Sequence, residues 1–219
     1  MVQATLYSDL KLLKMKVIIP LLALLLTFRV FGQPSPGHDA DIVAETPLHC
    51  LNEAEKELAS AINAYRSVNK LAPVPLSVSL SQVARLHVID LAENYQIGGK
   101  CNMHSWSSDP RWSSCCYTDD HRKASCMWDK PRELTSYTGD GYEIAFYSNH
   151  DYTSDRDFAL DALEGWKSSR GHHDLIINRG KWTTANWKAM GVGVFDGYAV
   201  IWFGELPDRA GSPEGCTDK

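Results

Sequence analysis

Residues 190–204 read MGVGVFDGYAVIWFG, two apolar runs joined at Asp196-Gly197. That dipeptide suits a tight hairpin turn needing positive φ, so the stretch predicts an antiparallel strand pair. Upstream, YEIAFYS (142–148) and DLIIN (174–178) are short and apolar, and both are expected to be strands.

Helices precede and separate these runs. In LNEAEKELASAINAYRSVNK (51–70), Leu51, Leu58, Ile62 and Tyr65 recur at helical spacing, with Asn52 as N-cap and acids in the first turn. Pro73 and Pro75 end that helix. A second, SVSLSQVARLHVIDLAENYQ (77–96), carries a stripe of Leu80, Val83, Ala84, His87, Leu91 and Tyr95 and stops at Gly98-Gly99. A third, SDRDFALDALEGWKSS (154–169), opens with Ser154 and Asp157 in capping-box-like positions and carries Phe158, Leu163 and Trp166. Helices first, then helices with an antiparallel pair, give an α+β layered domain. The segment between Gln96 and Gly141, rich in Cys and Trp, is read as one long irregular insertion.

The N-terminal stretch KLLKMKVIIPLLALLLTFRVFGQ places three lysines before an apolar run of about a dozen residues, too short for the roughly 20 that span a membrane. With Val30 and Gly32 at small-residue positions before Gln33, it has the layout of a secretory signal peptide. The expected division is a signal peptide at 1–32, a polar lead-in at 33–49, one domain at 50–206 with its insertion at 97–140, and a tail at 207–219. The expected destination is the extracellular space or a periplasm, with no integral membrane segment after processing. Without residues 1–32 the chain has 18 Lys and Arg against 26 Asp and Glu, a net charge of −8. An acidic chain without a basic stripe is a poor phosphate binder, which sets nucleic acid aside.

All six cysteines follow residue 32. In an oxidising compartment an even count reads as disulfides, with 15 pairings open; pairing Cys50 with Cys216, which flank the domain, is one choice. The competing reading is a zinc knot of CNMH (101–104), Cys115-Cys116, His121 and Cys126, for which the spacing is irregular.

INAYRSVNKLAPVPLSVSLSQVARLHVIDLA (62–92), HSW (104–106), GYEIA (141–145), WKSSRGHHDLII (166–177) and the 190–204 hairpin, in this order, resemble the CAP superfamily of cysteine-rich secretory, antigen 5 and pathogenesis-related-1 proteins. The resemblance runs from about Leu51 to Gly204. It implies an α–β–α sandwich of three layers around a central antiparallel sheet, here with a disulfide-stapled loop insertion. It also implies a central cleft lined by two histidines and two glutamates, the histidines binding a divalent metal in several members. His104, before Ser105, and His172, after Gly171, take the histidine positions, and His173 takes that of a variable neighbour. The carboxylates depart from the pattern. Aligned without a gap, Tyr142 stands where the first glutamate belongs, and Glu143 would reach the cleft only through a bulge or shifted register, since one step along a strand reverses the face. Ser169 stands at the second glutamate's position.

Two imidazoles from separate segments can chelate zinc or a similar divalent ion with water completing the shell. The leading expectation is a secreted binding protein with metal ligands His104 and His172. The alternative is a protease-like, metal-assisted hydrolase with His104, Glu143 and His172 as its catalytic residues, Glu143 acting on bound water. A third is a lipid- or sterol-binding, defence or toxin-like module, with an extracellular protein or peptide as another class of partner. His87, on an apolar stripe, reads as a satisfied core histidine, and His121 and His150 as loop residues without identifiable partners. Ser105, Ser168 and Ser169 lack the glycine-flanked elbow of a serine hydrolase. HDYTSDRD (150–157) reads as a helix start rather than a calcium loop. Trp166, Trp187 and Trp202 are expected in the core; Trp106, Trp112 and Trp128 pack beneath the staples or line a groove.

Overall fold

The structure, a computed structural model, describes residues 50–96 and 98–216. The expected signal peptide (1–32) and lead-in (33–49) lie outside the described residues.

Helix α1 (Glu53–Val68) begins where the sequence places it, because Asn52 and Glu55 satisfy each other's backbone N–H groups, each at 2.9 Å. Its face of Leu58, Ala59 and Ile62 is buried. Helix α2 (Val78–Asn94) starts at Ser77, whose hydroxyl accepts from Leu80 N–H at 2.9 Å. Two short helices follow, α3 (Ser125–Trp128) and α4 (Lys130–Leu134), then strand β1 (Tyr142–Tyr147). Helix α5 (Asp155–Ser168) is capped by Ser154 and runs into α6 (Arg170–Ile176). Strands β2 (Ala189–Phe195) and β3 (Tyr198–Gly204) close the domain as the hairpin expected from the sequence. Both turn residues have positive φ, 47° at Asp196 and 77° at Gly197, as a two-residue turn of right-handed strands requires.

The three strands form one antiparallel sheet in the order β1-β3-β2. Alternation along fully buried β3 builds two cores. Ala199, Ile201 and Phe203 face α1, α5 and α6, where Leu58, Ile62, Phe158, Trp166 and Ile176 meet them. Val200 and Trp202 face α2 and the cysteine-bearing loop, joined by Val83, Val88, Trp106 and Trp112. The architecture is α+β, with helices on both faces of the antiparallel sheet, and Trp166, Trp187 and Trp202 are core residues as expected. Gly191 and Gly193 allow the close approach of α2: a Cβ at either would collide with its backbone, at Leu80 and Ala84 respectively.

Three expectations need correction. DLIIN is not a strand; its first three residues end α6, and Leu175, Ile176 and Ile177 are all buried. A short apolar run does not distinguish the two states by periodicity, and here a distant residue decides. The Arg66 guanidinium of α1 caps the end of α6, donating to the Ile176 carbonyl at 2.6 Å and to Asn178 Oδ1 at 2.8 Å. The 97–140 insertion contains α3 and α4 instead of being wholly irregular. Finally, the zinc knot is excluded because every cysteine is oxidised, in the pairs Cys50–Cys216, Cys101–Cys116 and Cys115–Cys126.

Gly191→Ala is expected to destabilise the protein by about 3 kcal/mol, the upper range for overpacking. Gly171→Ala, where a Cβ meets nothing within 4 Å, should change stability little. Urea unfolding of both variants at neutral pH measures the difference.

Candidate functional site

His104, Glu143 and His172 line one cleft of about 380 Å³. The insertion supplies His104, α6 supplies His172 near its start, and β1 supplies Glu143. The two histidine rings lie edge to face with centroids 6.0 Å apart. His173 turns elsewhere: its Nε2 pairs with the Tyr65 hydroxyl of α1 at 2.8 Å.

Glu143 reaches this place without a bulge. Strand β1 pairs with β3 in unbroken register, Glu143 opposite Trp202 and Tyr142 opposite Phe203. Tyr142 therefore belongs to the α1/α5 side and Glu143 to the α2 side, as the alternation argument requires. The expectation of a bulge or shifted register fails because the cleft is not confined to one face. It takes both Tyr142 and Glu143 from β1, a strand at the edge of the sheet, and is completed by the insertion and by α6.

The Glu143 side chain is fully buried, and both its oxygens are engaged. Oε1 accepts from His104 Nδ1 at 2.8 Å, and Oε2 meets His87 Nδ1 in a very short contact. His87 is itself buried, and its Nε2 donates to the Ser105 carbonyl at 2.9 Å. Burial alone would push the Glu143 carboxyl up, but His87 and His104 outweigh it and hold it below the usual glutamate range. Burial alone would likewise lower His87, yet the Glu143 carboxylate and the Ser105 carbonyl raise it overall. The carboxylate thus acts on the cleft through His104. It fixes the ring with Nδ1 as donor and leaves Nε2 free.

His172 titrates oppositely. Burial, then repulsion from His104, lower it to about 4, only partly offset by Glu143, so its ring is neutral at pH 7 and can act as ligand or base.

The sequence reading missed two contributors. His121 lines the cleft, with Nδ1 2.9 Å from the Tyr117 hydroxyl, and Tyr117 in turn lies edge-on to the His104 ring at 5.2 Å. His87 is satisfied as expected, but its partner is the cleft carboxylate; a histidine on the inward stripe of a helix packed over Glu143 was the available signal. Trp128, Tyr142 and Trp182 form an aromatic wall, Tyr142 lying 5.6 and 4.9 Å from the two indoles. Ser105 and Ser168 spend their hydroxyls on the backbone, donating to the Tyr117 and Gly165 carbonyls. Among the described residues, no group of three or more His, Cys, Asp or Glu side chains is arranged as a metal-binding set.

Helices on both faces of a small antiparallel sheet, three disulfides and a histidine-bearing cleft at the sheet edge define a disulfide-stabilised α+β domain. The profile of the CAP family, the cysteine-rich secretory protein family, matches residues 59–194. The chain belongs to that family. Among solved structures it is similar to a cysteine-rich secretory protein from Staphylococcus aureus, at 16% identity and a TM-score of 0.44 over 70% of this chain and 39% of that one. It is also similar to an extracellular protein containing an SCP domain from Bacillus anthracis, at 18% identity and a TM-score of 0.47, over 70% of this chain and 40% of that one. An outer surface protein from Borrelia burgdorferi matches at 18% identity and a TM-score of 0.46, over 70% of this chain and 92% of that one. The chain thus spans about two-fifths of the length of the first two. No curated protein matches it. Among the described residues no helix is long and apolar enough to cross a membrane.

The lowered pKa of His172 sets a pH dependence. Between its folded value of about 4 and the ordinary 6.5, the unfolded chain binds a proton that the folded one does not. The stability contribution of neutral His172 is therefore complete above pH 6.5 and is lost as the pH falls toward 4, by up to about 3 kcal/mol at 1.36 kcal/mol per unit. Urea midpoints of chelator-treated protein across pH 4–7 should fall less steeply in His172→Gln than in the wild type.

Proposed function

We propose that this is an exported binding protein whose cleft holds a divalent ion of the zinc class between His104 and His172. The observation that carries the reading is the tie from Glu143 to His104 Nδ1, which leaves the other nitrogen available opposite a neutral His172. A carboxylate behind a ligating imidazole fixes its tautomer and raises its basicity. The donor set fits such an ion chemically: two imidazoles suit zinc, and water would complete the shell. Bound there, the ion would act as a Lewis acid toward a carbonyl or water. The hydrolase alternative has weaker support, because Glu143 is buried with both oxygens committed and is poorly placed to take a proton from cleft water. Export is supported by three disulfides among the described residues and by the apolar leader.

The wall of Trp128, Tyr142 and Trp182, extended by Met103, Met127 and Leu175, favours a second reading in which an apolar ligand of the lipid or sterol type lies along the cleft. Extraction of labelled sterol from vesicles tests it, with failure to extract counting against the apolar ligand.

Isothermal titration of metal-free protein with Zn²⁺ tests the principal reading. Wild type should give saturable heats that disappear in the His104→Ala, His172→Ala double variant. Equal heats in both proteins would remove the proposed ligands.

A further inference from the structure

Residue 87 belongs to α2 and lies outside the cleft, yet it holds His104 from two directions. Its Nδ1 meets Glu143 Oε2, and Glu143 Oε1 accepts a hydrogen bond from His104 Nδ1. Its Nε2 donates to the carbonyl of Ser105, the residue that follows His104 in the chain. One imidazole therefore holds both the carboxylate behind the His104 ring and the backbone beside it. The His87 ring has little freedom of its own. It stacks on Trp106 at 4.4 Å and 7°, while the edge contact to Trp202 lies at 6.3 Å. Because a carbonyl and a carboxylate both only accept, Nε2 and Nδ1 must each carry a hydrogen, so the ring meets its two partners as the imidazolium.

We infer that His87 is a positioning residue for His104: by holding Glu143 and the Ser105 carbonyl together, it keeps His104 in the Nδ1–H tautomer with Nε2 presented to the cleft. Its importance for ion binding rests on the reading of His104 as a ligand, whereas the tautomer can be observed without any ion. A histidine that merely filled the core would be replaceable by any ring of similar size. A positioning histidine is not, because a phenyl ring keeps the stack on Trp106 but leaves Glu143 Oε2 and the Ser105 carbonyl without a donor.

The test is ¹⁵N NMR of the histidine rings in metal-free protein, followed by Zn²⁺ titration. Wild type should show His104 as the Nδ1–H tautomer; an Nε2–H tautomer there would overturn the inference at once. In His87→Phe, the Nε2–H form of His104 should appear and Zn²⁺ affinity should fall about 10- to 100-fold, the usual cost of losing an outer partner. A folded His87→Phe with an unchanged tautomer would reduce His87 to a packing residue. Should that variant not fold, His87→Gln decides, since its amide still donates to Glu143 but does not reproduce both contacts. A mixed tautomer and a smaller loss of affinity are expected there, and wild-type behaviour would overturn the inference. If wild type gives no Zn²⁺ heat, the ion reading fails alone and the tautomer measurement still judges His87.

Discussion

The site depends on one buried carboxylate. Glu143 sits on an edge strand with its side chain out of contact with solvent, where an unpaired charge would be strongly unfavourable. Two imidazoles offset that cost, one from α2 and one from the insertion, so three distant segments converge on a single group. Breaking such a pair by removing one partner typically costs about 3–5 kcal/mol, because the other charge stays behind. The same contacts that make the carboxylate tolerable also decide which nitrogen of His104 is free. Stability and site geometry are therefore hard to separate here.

The sheet explains why the carboxylate is there at all. Strict alternation through β1 sends Tyr142 toward α1 and α5 and Glu143 toward α2, and the cleft is lined by both at the strand's edge. The two glycines of β2 bring α2 close to the sheet, placing His87 in reach of β1. The insertion then covers that side, held by Cys101–Cys116 and Cys115–Cys126, while the Asp90 carboxylate of α2 accepts from the Ser107 backbone at 2.8 Å. His104 thus projects from a loop with little regular structure that is nonetheless tied at both ends.

Local rules carried far in the sequence. The capping residues Asn52 and Ser154 mark the starts of two of the three long helices, and Asp196-Gly197 marks the hairpin, because each such signal is satisfied within a few residues. The end of α6 was not legible for the opposite reason: the Arg66 side chain that donates to its final turn is 110 positions away from Ile176. Glu143 failed similarly. Counting residues against a family pattern assigns a face, but not where the cleft opens relative to that face. His104 and His172 were found through motifs, whereas the link to His87 depends on how closely a helix approaches a sheet, a tertiary quantity set by two small residues elsewhere. The cysteines revealed oxidation but not connectivity, since adjacent Cys115 and Cys116 are joined to different partners.

The Cys50–Cys216 bond joins the two ends of the domain, with Cα atoms 4.8 Å apart and Leu51 bridged to Gly215 beside it. A mechanical load entering through the chain before Cys50 and leaving after Cys216 passes through the sulfur–sulfur link and bypasses everything between. The folded body then hangs from a single covalent knot, like a pendant on a cord, and tension on the polypeptide leaves the histidine cleft undisturbed.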